Sequence, residues 1–490
     1  MNDKNNTGGT PSIAPFISPD VSVSIRLAKS QDIQTFIDLW KICFEDTNEF
    51  VKWFFEHRFF PEYSACVEVD GIIICAMQSM PLSIWIRGRS MPGAIVVGVC
   101  THPDYRGHHY MKRMFTYYMQ QMSHKGILAI TYKPENIKTY FSLGHYPTTR
   151  TIHYEVNKAS NNSVETYETS KVIKKIKNYT NTCIPPDNNV LIFPINQTPA
   201  SDLNSCYELY RTIAPTYSGM VDRNKGLFIL KSQDYSSVGG KLLLSKRIGV
   251  LTGYCFYFET EDKISGEELI ARDYTTVVEM LEQLHMIAQG RSLTVKIPSN
   301  FKELIDKNNT SASAKEETSR NMNEIDKNYT SASDQEQSED KTRVYISPQN
   351  VLGITHIKEF VRLLALSGYE KNDMHNQIVV EIRDDILEEN NIKINLSGET
   401  SDQAPCIIIG IGYFVQVLCG YSSIKDLLEE SGSNSANTTT TNTTTSDATS
   451  NSISSNSIEN KNPIIIHDME KAQEIDKILQ KCECFIVDEY

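Results

Sequence analysis

Ile95-Val-Val-Gly-Val-Cys-Thr-His-Pro-Asp-Tyr-Arg-Gly-His-His-Tyr-Met-Lys-Arg-Met-Phe115 is the stretch that decides the fold. Its apolar start, Ile95–Cys100, reads as a strand. A turn holding Pro103, Tyr105, Arg106 and Gly107 follows, and a helix opens at once, over about His108 to Ser123. Met111, Met114, Phe115, Tyr118 and Met122 fall on one face of that helix, and Gly126 ends it. A strand that turns through glycine into a helix N-terminus makes an anion cradle. The first helical N–H groups have no partner within the helix, and the helix dipole favours negative charge there.

Upstream, Ile33, Phe36, Ile37, Trp40 and Phe44 repeat at helical spacing. Asn48 to Phe60 reads as a second helix. Cys66–Val69 and Ile72–Ala76 form a hairpin about Asp70-Gly71, and strands flank Gly88. Downstream, Ile127–Thr131 is a further strand. The order is therefore α-α-β-β-β-α-β. Residues 157–300 repeat it weakly: a helix at Leu203–Ala214, strands at Lys241–Leu244, Leu251–Glu259 and Leu269–Tyr274, and a helix at Thr276–Ala288. They contain no Tyr-Arg-Gly turn.

The last region, 343–490, alternates helix and strand. Its helices are expected at His356–Leu366 and Tyr413–Leu418, and its strands at Gln377–Arg383 and Cys406–Ile411. A closing helix is expected at Met469–Gln480. Three stretches cannot pack a core and are expected to be disordered: the tail 1–22, the charged linker 301–342 and the Ser/Asn/Thr insertion 431–462. The linker repeats itself: Ile305-Asp-Lys-Asn-Asn-Thr-Ser-Ala-Ser recurs from Ile325 as Ile-Asp-Lys-Asn-Tyr-Thr-Ser-Ala-Ser.

Composition narrows the function. A formal charge of −13 argues against nucleic acid and fits a cationic substrate. No apolar run is long enough to span a membrane, and the N-terminus has no apolar signal region, so a cytoplasmic protein is expected. The 11 cysteines are scattered, as free thiols in a reducing compartment are. Cys482-Glu-Cys484 is the one close pair and lacks the spacing of a zinc site, so no metal is expected.

The order V-x-x-x-P-x-Y-R-G, Val99 to Gly107, resembles the acetyl-CoA-binding motif of the GNAT acetyltransferases. Two GNAT-like regions, the segment Tyr140-Phe-Ser-Leu-Gly-His-Tyr146 and the acidic-aromatic end Phe485–Tyr490 resemble the Eis-like (enhanced intracellular survival) N-acetyltransferases more closely. The resemblance implies an α/β (α+β) protein: a catalytic GNAT domain over 23–156, a degenerate GNAT-like domain over 157–300 and a sterol-carrier-like domain over 343–490. It implies acetyl-CoA as co-substrate and an amine-bearing small molecule or peptide as acceptor. It also implies a homo-oligomer, a hexamer in that family.

The resemblance assigns roles as well. Val99, Cys100 and Thr101 would pair with pantetheine through their backbone. Arg106, Gly107, His108, His109, Tyr110, Met111 and Lys112 would face the pyrophosphate, and Glu135 and Asn136 would flank the thioester. Tyr140 would protonate the departing thiolate. The carboxylate of Tyr490 would take the amine's proton, and Asp488 and Glu489 would draw a cationic acceptor. The sequence departs from the family cradle, R-x-x-G-x-G/A, at His109 and Met111. A side chain at His109 is expected either to crowd a phosphate or to offer it a donor. The alternative is an inactive GNAT scaffold that serves as an interaction or lipid-binding module.

Overall fold

The computed structural model describes residues 22–157, 188–301, 342–365, 376–432 and 464–486. The tail, the central linker and the Ser/Asn/Thr insertion fall essentially outside these residues, as do Asp488, Glu489 and Tyr490.

The first sheet contains β1 (Val23–Leu27), β2 (Ala65–Val69), β3 (Ile72–Ile86), β4 (Arg89–Thr101), β5 (Ala129–Tyr132) and β6 (Tyr146–Pro147). Helices α1 (Ile33–Cys43) and α2 (Asn48–Arg58) precede β2, and α3 (Tyr110–His124) joins β4 to β5. Thr47 caps α2 by accepting from the Phe50 N–H at 3.2 Å. β3 and β4 make one long hairpin turning at Arg87-Gly88, both at positive φ. The pair β4/β5 is parallel, which requires a crossover, and α3 supplies it.

The second sheet repeats this plan. β7 (Arg150–Val156) and β8 (Asn188–Pro194) are followed by α4 (Ala200–Ile213) and α5 (Lys225–Ser237). β9 (Lys241–Arg247), β10 (Val250–Glu259), β11 (Lys263–Ala271), α6 (Tyr274–Ala288) and β12 (Ser292–Ile297) complete it. Here β11/β12 is the parallel pair, crossed over by α6. The strand expected to run to Tyr274 stops at Ala271, because Asp273 caps α6 through the Thr276 N–H at 2.8 Å.

The two sheets exchange strands. The first has the order β1-β2-β3-β4-β5-β14-β6 and the second β13-β7-β12-β11-β10-β9-β8. β13 (Thr342–Pro348) and β14 (Val351–Ile354) come from beyond the linker. One antiparallel ribbon, β6–β7 against β13–β14, runs through both sheets in unbroken register from Tyr146/Leu352 to Val156/Thr342. Between the sheets the Thr148 N–H donates to the Asn350 carbonyl at 2.9 Å and the Gln349 N–H to the Thr149 carbonyl at 3.0 Å. The sequence placed Arg150–Val156 with the first region and residues 343–354 with the last. Strand pairing crosses both boundaries, because a strand's alternation shows which face is buried but not which edge it joins.

The last part carries α7 (Ile357–Ala365), β15 (Val379–Arg383), β16 (Lys393–Asn395), β17 (Ile407–Gly410), α8 (Ile411–Cys419), α9 (Ile424–Gly432), β18 (Ile465–Ile466) and α10 (Met469–Ile478). Its sheet has the order β16-β15-β17-β18. It shares one core with the first sheet: Ile84, Ile86, Met91 and Leu128 pack with Phe360, Ile382, Phe414 and Leu418.

Candidate active site

The site begins with a fault in β4. Ala76 faces Cys100 and Gln78 faces Val97, so β4 holds one residue more than β3 between these pairs. Gly98 takes up the excess at φ +57°, and a Cβ there would lie 2.1 Å from the Trp40 ring. Only glycine fits this bulge. The bulge turns β4 away from β5. They pair from Gly93/Ala129 to Ile95/Thr131 and no further, which leaves the β5-facing edge of Val99, Cys100 and Thr101 open.

Beyond Thr101, Pro103–Tyr105 makes a helical turn, and the Arg106 Nε donates to the Thr101 carbonyl at 3.1 Å. Gly107 follows at φ +85° with nothing within 4 Å of where a Cβ would sit. His109 stands where the family cradle has a glycine. Its backbone is left-handed, φ +59°, the conformation a glycine would supply, and its side chain is exposed. It makes no capping hydrogen bond to α3. The N–H groups of Tyr110, Met111 and Lys112, in the first turn, therefore face the loop uncapped. Met111 packs at the edge of the core under α3, and Lys112 is half-buried.

Tyr140 lies on the 3-10 turn Ile137–Leu143 after β5, a turn closed by Gly144 at φ +72°. Its ring packs edge-on against Tyr132 at 4.8 Å and Phe115 at 5.7 Å. No described residue hydrogen-bonds its hydroxyl. Burial pushes the phenol up to about 12, helped by Cys75 and Glu135. It stays protonated at any working pH, as an acid must. Beneath it the Tyr132 hydroxyl pairs with His145 Nδ1 at 2.7 Å, and burial depresses His145 to about 3, so this imidazole is neutral.

Glu135 is exposed. The Asn136 side chain accepts from the Lys138 N–H at 3.0 Å and shapes the turn. The last part of the chain holds the same segment from behind. Tyr146 packs on Phe141 and Tyr413, each at 4.8 Å, and Gly144 sits against Ile411 at the start of α8. Sequence reasoning missed these supports and the bulge. Gly98 inside Val-Val-Gly-Val was its one available signal.

The chain's end is held through Ile486. The Ser218 N–H donates to the Glu483 carbonyl at 2.8 Å, the Phe485 N–H to the Ser218 carbonyl at 3.0 Å, and the Arg150 N–H to the Cys484 carbonyl at 2.9 Å. Phe485 is fully buried beside Tyr217. The acidic end beyond it, with the proposed base Tyr490, lies outside the described residues.

A bulged, splayed strand feeding an uncapped helix can hold a pantetheine and its pyrophosphate, and residues 24–147 match the acetyltransferase (GNAT) domain family. The chain carries a GNAT acetyltransferase domain, and it is an acyltransferase. The fold extends the likeness to nearly the whole chain. Eis1 from Mycobacterium abscessus superposes with a TM-score of 0.60 at 12% identity, over 96% of this chain and 100% of that one. A probable N-acyltransferase from Enterococcus faecalis V583 gives 0.63 at 13%, over 96% and 100%. A GCN5-related N-acetyltransferase from Anabaena variabilis gives 0.62 at 12%, also over 96% and 100%. No curated protein matches the sequence. Among the described residues no metal-binding group occurs, and no helix is long and apolar enough to cross a membrane.

Proposed function

We propose that this acyltransferase moves an acetyl group from acetyl-CoA to a primary amine of a cationic acceptor. The observation that carries the reading is the uncapped α3 N-terminus at the open edge of β4. Backbone of Val99–Thr101 binds the pantetheine as an added strand, and Gly107–Lys112 take the pyrophosphate. The amine nitrogen attacks the thioester carbon; an N–C bond forms and the C–S bond breaks. The Tyr140 phenol gives its proton to the leaving thiolate. A phenol near 12 facing a thiol near 8.5 makes this transfer uphill by about 5 kcal/mol, a gap that narrows when the thiol shares the burial.

The Tyr490 carboxylate takes the proton from the amine. Its support is the tail, anchored up to Phe485 by backbone bonds to Ser218 and Arg150. Asp488, Glu489 and the net charge of −13 favour a cationic acceptor, a multi-amine small molecule or a lysine. The last part, read as sterol-carrier-like, serves here to brace the Tyr140 segment. A cytoplasmic homo-oligomer completes the reading.

Calorimetry with acetyl-CoA, followed by turnover on a panel of polyamines, aminoglycosides and lysine peptides, tests it. Micromolar binding and acetylation of at least one amine are expected. Absence of acetyl-CoA binding would overturn the reading in favour of an inactive scaffold. A glycine added after Tyr490 should cut turnover while binding persists; full turnover would remove the carboxylate from the mechanism.

A further inference from the structure

The pair Cys482-Glu-Cys484 takes no part in acyl transfer, yet it sits where the three parts of the molecule meet. The Cys482 thiol lies 3.0 Å from the Cys419 carbonyl and the Cys484 thiol 3.4 Å from the same oxygen, so both sulfurs converge on one acceptor. Ser218 Oγ is 3.3 Å from the Cys482 sulfur. Arg87, from the β3–β4 turn, donates to the carbonyls of Leu418 at 2.6 Å, Gln480 at 2.7 Å and Val417 at 3.1 Å beside them. Cys484 is buried and Cys482 is half-buried.

These cysteines flank Glu483, whose carbonyl accepts from the Ser218 N–H, and Cys484 bridges to Ser218 as a strand does. Along a strand, residues two apart hold their Cα atoms at about 6.6–7.2 Å. A disulfide wants about 5.5–6 Å. Joining the two sulfurs would therefore draw the backbone together at Glu483 and pull its carbonyl and the Phe485 N–H out of their bonds to Ser218.

We propose that Cys482 and Cys484 form a reversible disulfide that unlatches the C-terminal end of the chain from the second sheet. The oxidant is a hydroperoxide. The Cys482 thiolate attacks one oxygen of hydrogen peroxide, the O–O bond breaks, and a sulfenic acid and hydroxide result, the hydroxide taking a proton from solvent to become water. The Cys484 sulfur then attacks the sulfenic sulfur; the S–S bond forms, the S–O bond breaks, and the Cys484 proton leaves with hydroxide as a second water. A dithiol reverses the bond by exchange. The Cys484 thiol and the Arg87 charge lower Cys482, which favours it as the attacking sulfur, while the contact with Cys482 and burial push Cys484 up, so it serves as the resolving thiol. An effect on turnover rests on the proposed role of the Tyr490 carboxylate; the latch does not.

The full chain, reduced and then treated with hydrogen peroxide, provides the test through peptide mass mapping and amide hydrogen exchange. The Cys482–Cys484 peptide should become two hydrogens lighter and revert with dithiothreitol. The Ser218 and Phe485 amides should exchange at least about tenfold faster, and Cys482→Ser and Cys484→Ser should abolish both changes. Acetyl-CoA affinity should hold while turnover falls. A disulfide to Cys419 instead, no disulfide, or a disulfide with unchanged amides would overturn the proposal. Opened amides with unchanged turnover would uphold the latch and remove the Tyr490 carboxylate from catalysis.

Discussion

Both seven-stranded sheets splay in the same place, after one short parallel pairing, but only one of the two clefts opens onto a helix N-terminus without a side-chain cap. In the first, residues 102–109 separate β4 from α3, and His109 leaves the helix uncapped. In the second, Arg272 and Asp273 alone separate β11 from α6. Asp273 occupies the helix N-terminus itself: it accepts from the Thr276 N–H at 2.8 Å and pairs with Arg247 at 3.0 Å. Charged pairs made by β11 also stand beside the second splay. Glu267 pairs with Lys296, and Glu268 holds Arg223 through two bonds of 2.9 Å in a fully buried pair. A shared topology supplies the opening, and the turn and its cap decide whether an anion can enter.

The comparison breaks most visibly at Tyr140, which belongs to the first cleft. Tyr140→Phe should lower kcat by about 10²- to 10³-fold with acetyl-CoA affinity nearly unchanged, by steady-state kinetics and calorimetry. Because burial holds the phenol up to about 12, the wild-type rate profile should show no falling limb from this group below about pH 10. A loss of rate between about pH 8 and 10 that disappears in the phenylalanine variant would contradict the assignment.

His109→Asp would make the first helix start like the second. A carboxylate there caps the N–H groups and repels pyrophosphate, so the Kd for acetyl-CoA should rise about ten- to a hundredfold. His109→Gly should leave the Kd within about threefold, since the backbone already has the left-handed conformation. Equal binding by the aspartate variant would mean that the cap does not separate the clefts.

Smaller effects concern stability. His145 titrates near 3 when folded and near 6.5 when unfolded, so the unfolded chain binds more protons as pH falls below 6.5. Its share of stability, complete above that pH, should drop by about 2 kcal/mol between about pH 7 and 5. Denaturant midpoints should show this slope, and His145→Asn should flatten it. Last, Asp273→Ala should cost the second unit about 1 kcal/mol of helix capping without creating any acetyl-CoA binding there.

Much of the site could be read along the chain, because its parts are local. The Val99–Gly107 order, the helix after it and Tyr140 ahead of Gly144 all lie within one stretch. Helix α5 shows why other parts were not legible. Its buried face carries Lys231, Ser232 and Asp234, so it has no apolar periodicity. Those charges are buried because Asp234 binds Lys231 at 3.2 Å and meets Arg58 of α2, on the other unit, at 3.6 Å. A pattern that depends on a distant partner cannot be recognised without it.

Residue order alone marked out the candidate cradle, the GNAT order of elements and the candidate acid. These follow from turn chemistry and from side chains a few positions apart. Tertiary structure alone decided three things: the ribbon that exchanges strands between the sheets, the bracing of Tyr140 by α8, and the anchoring of the tail through Ser218 and Arg150. It also decided that His109 takes the left-handed backbone that a glycine would supply. Each depends on contacts between residues far apart in the chain, or on a backbone angle that those contacts hold, and neither leaves a periodic mark in the sequence.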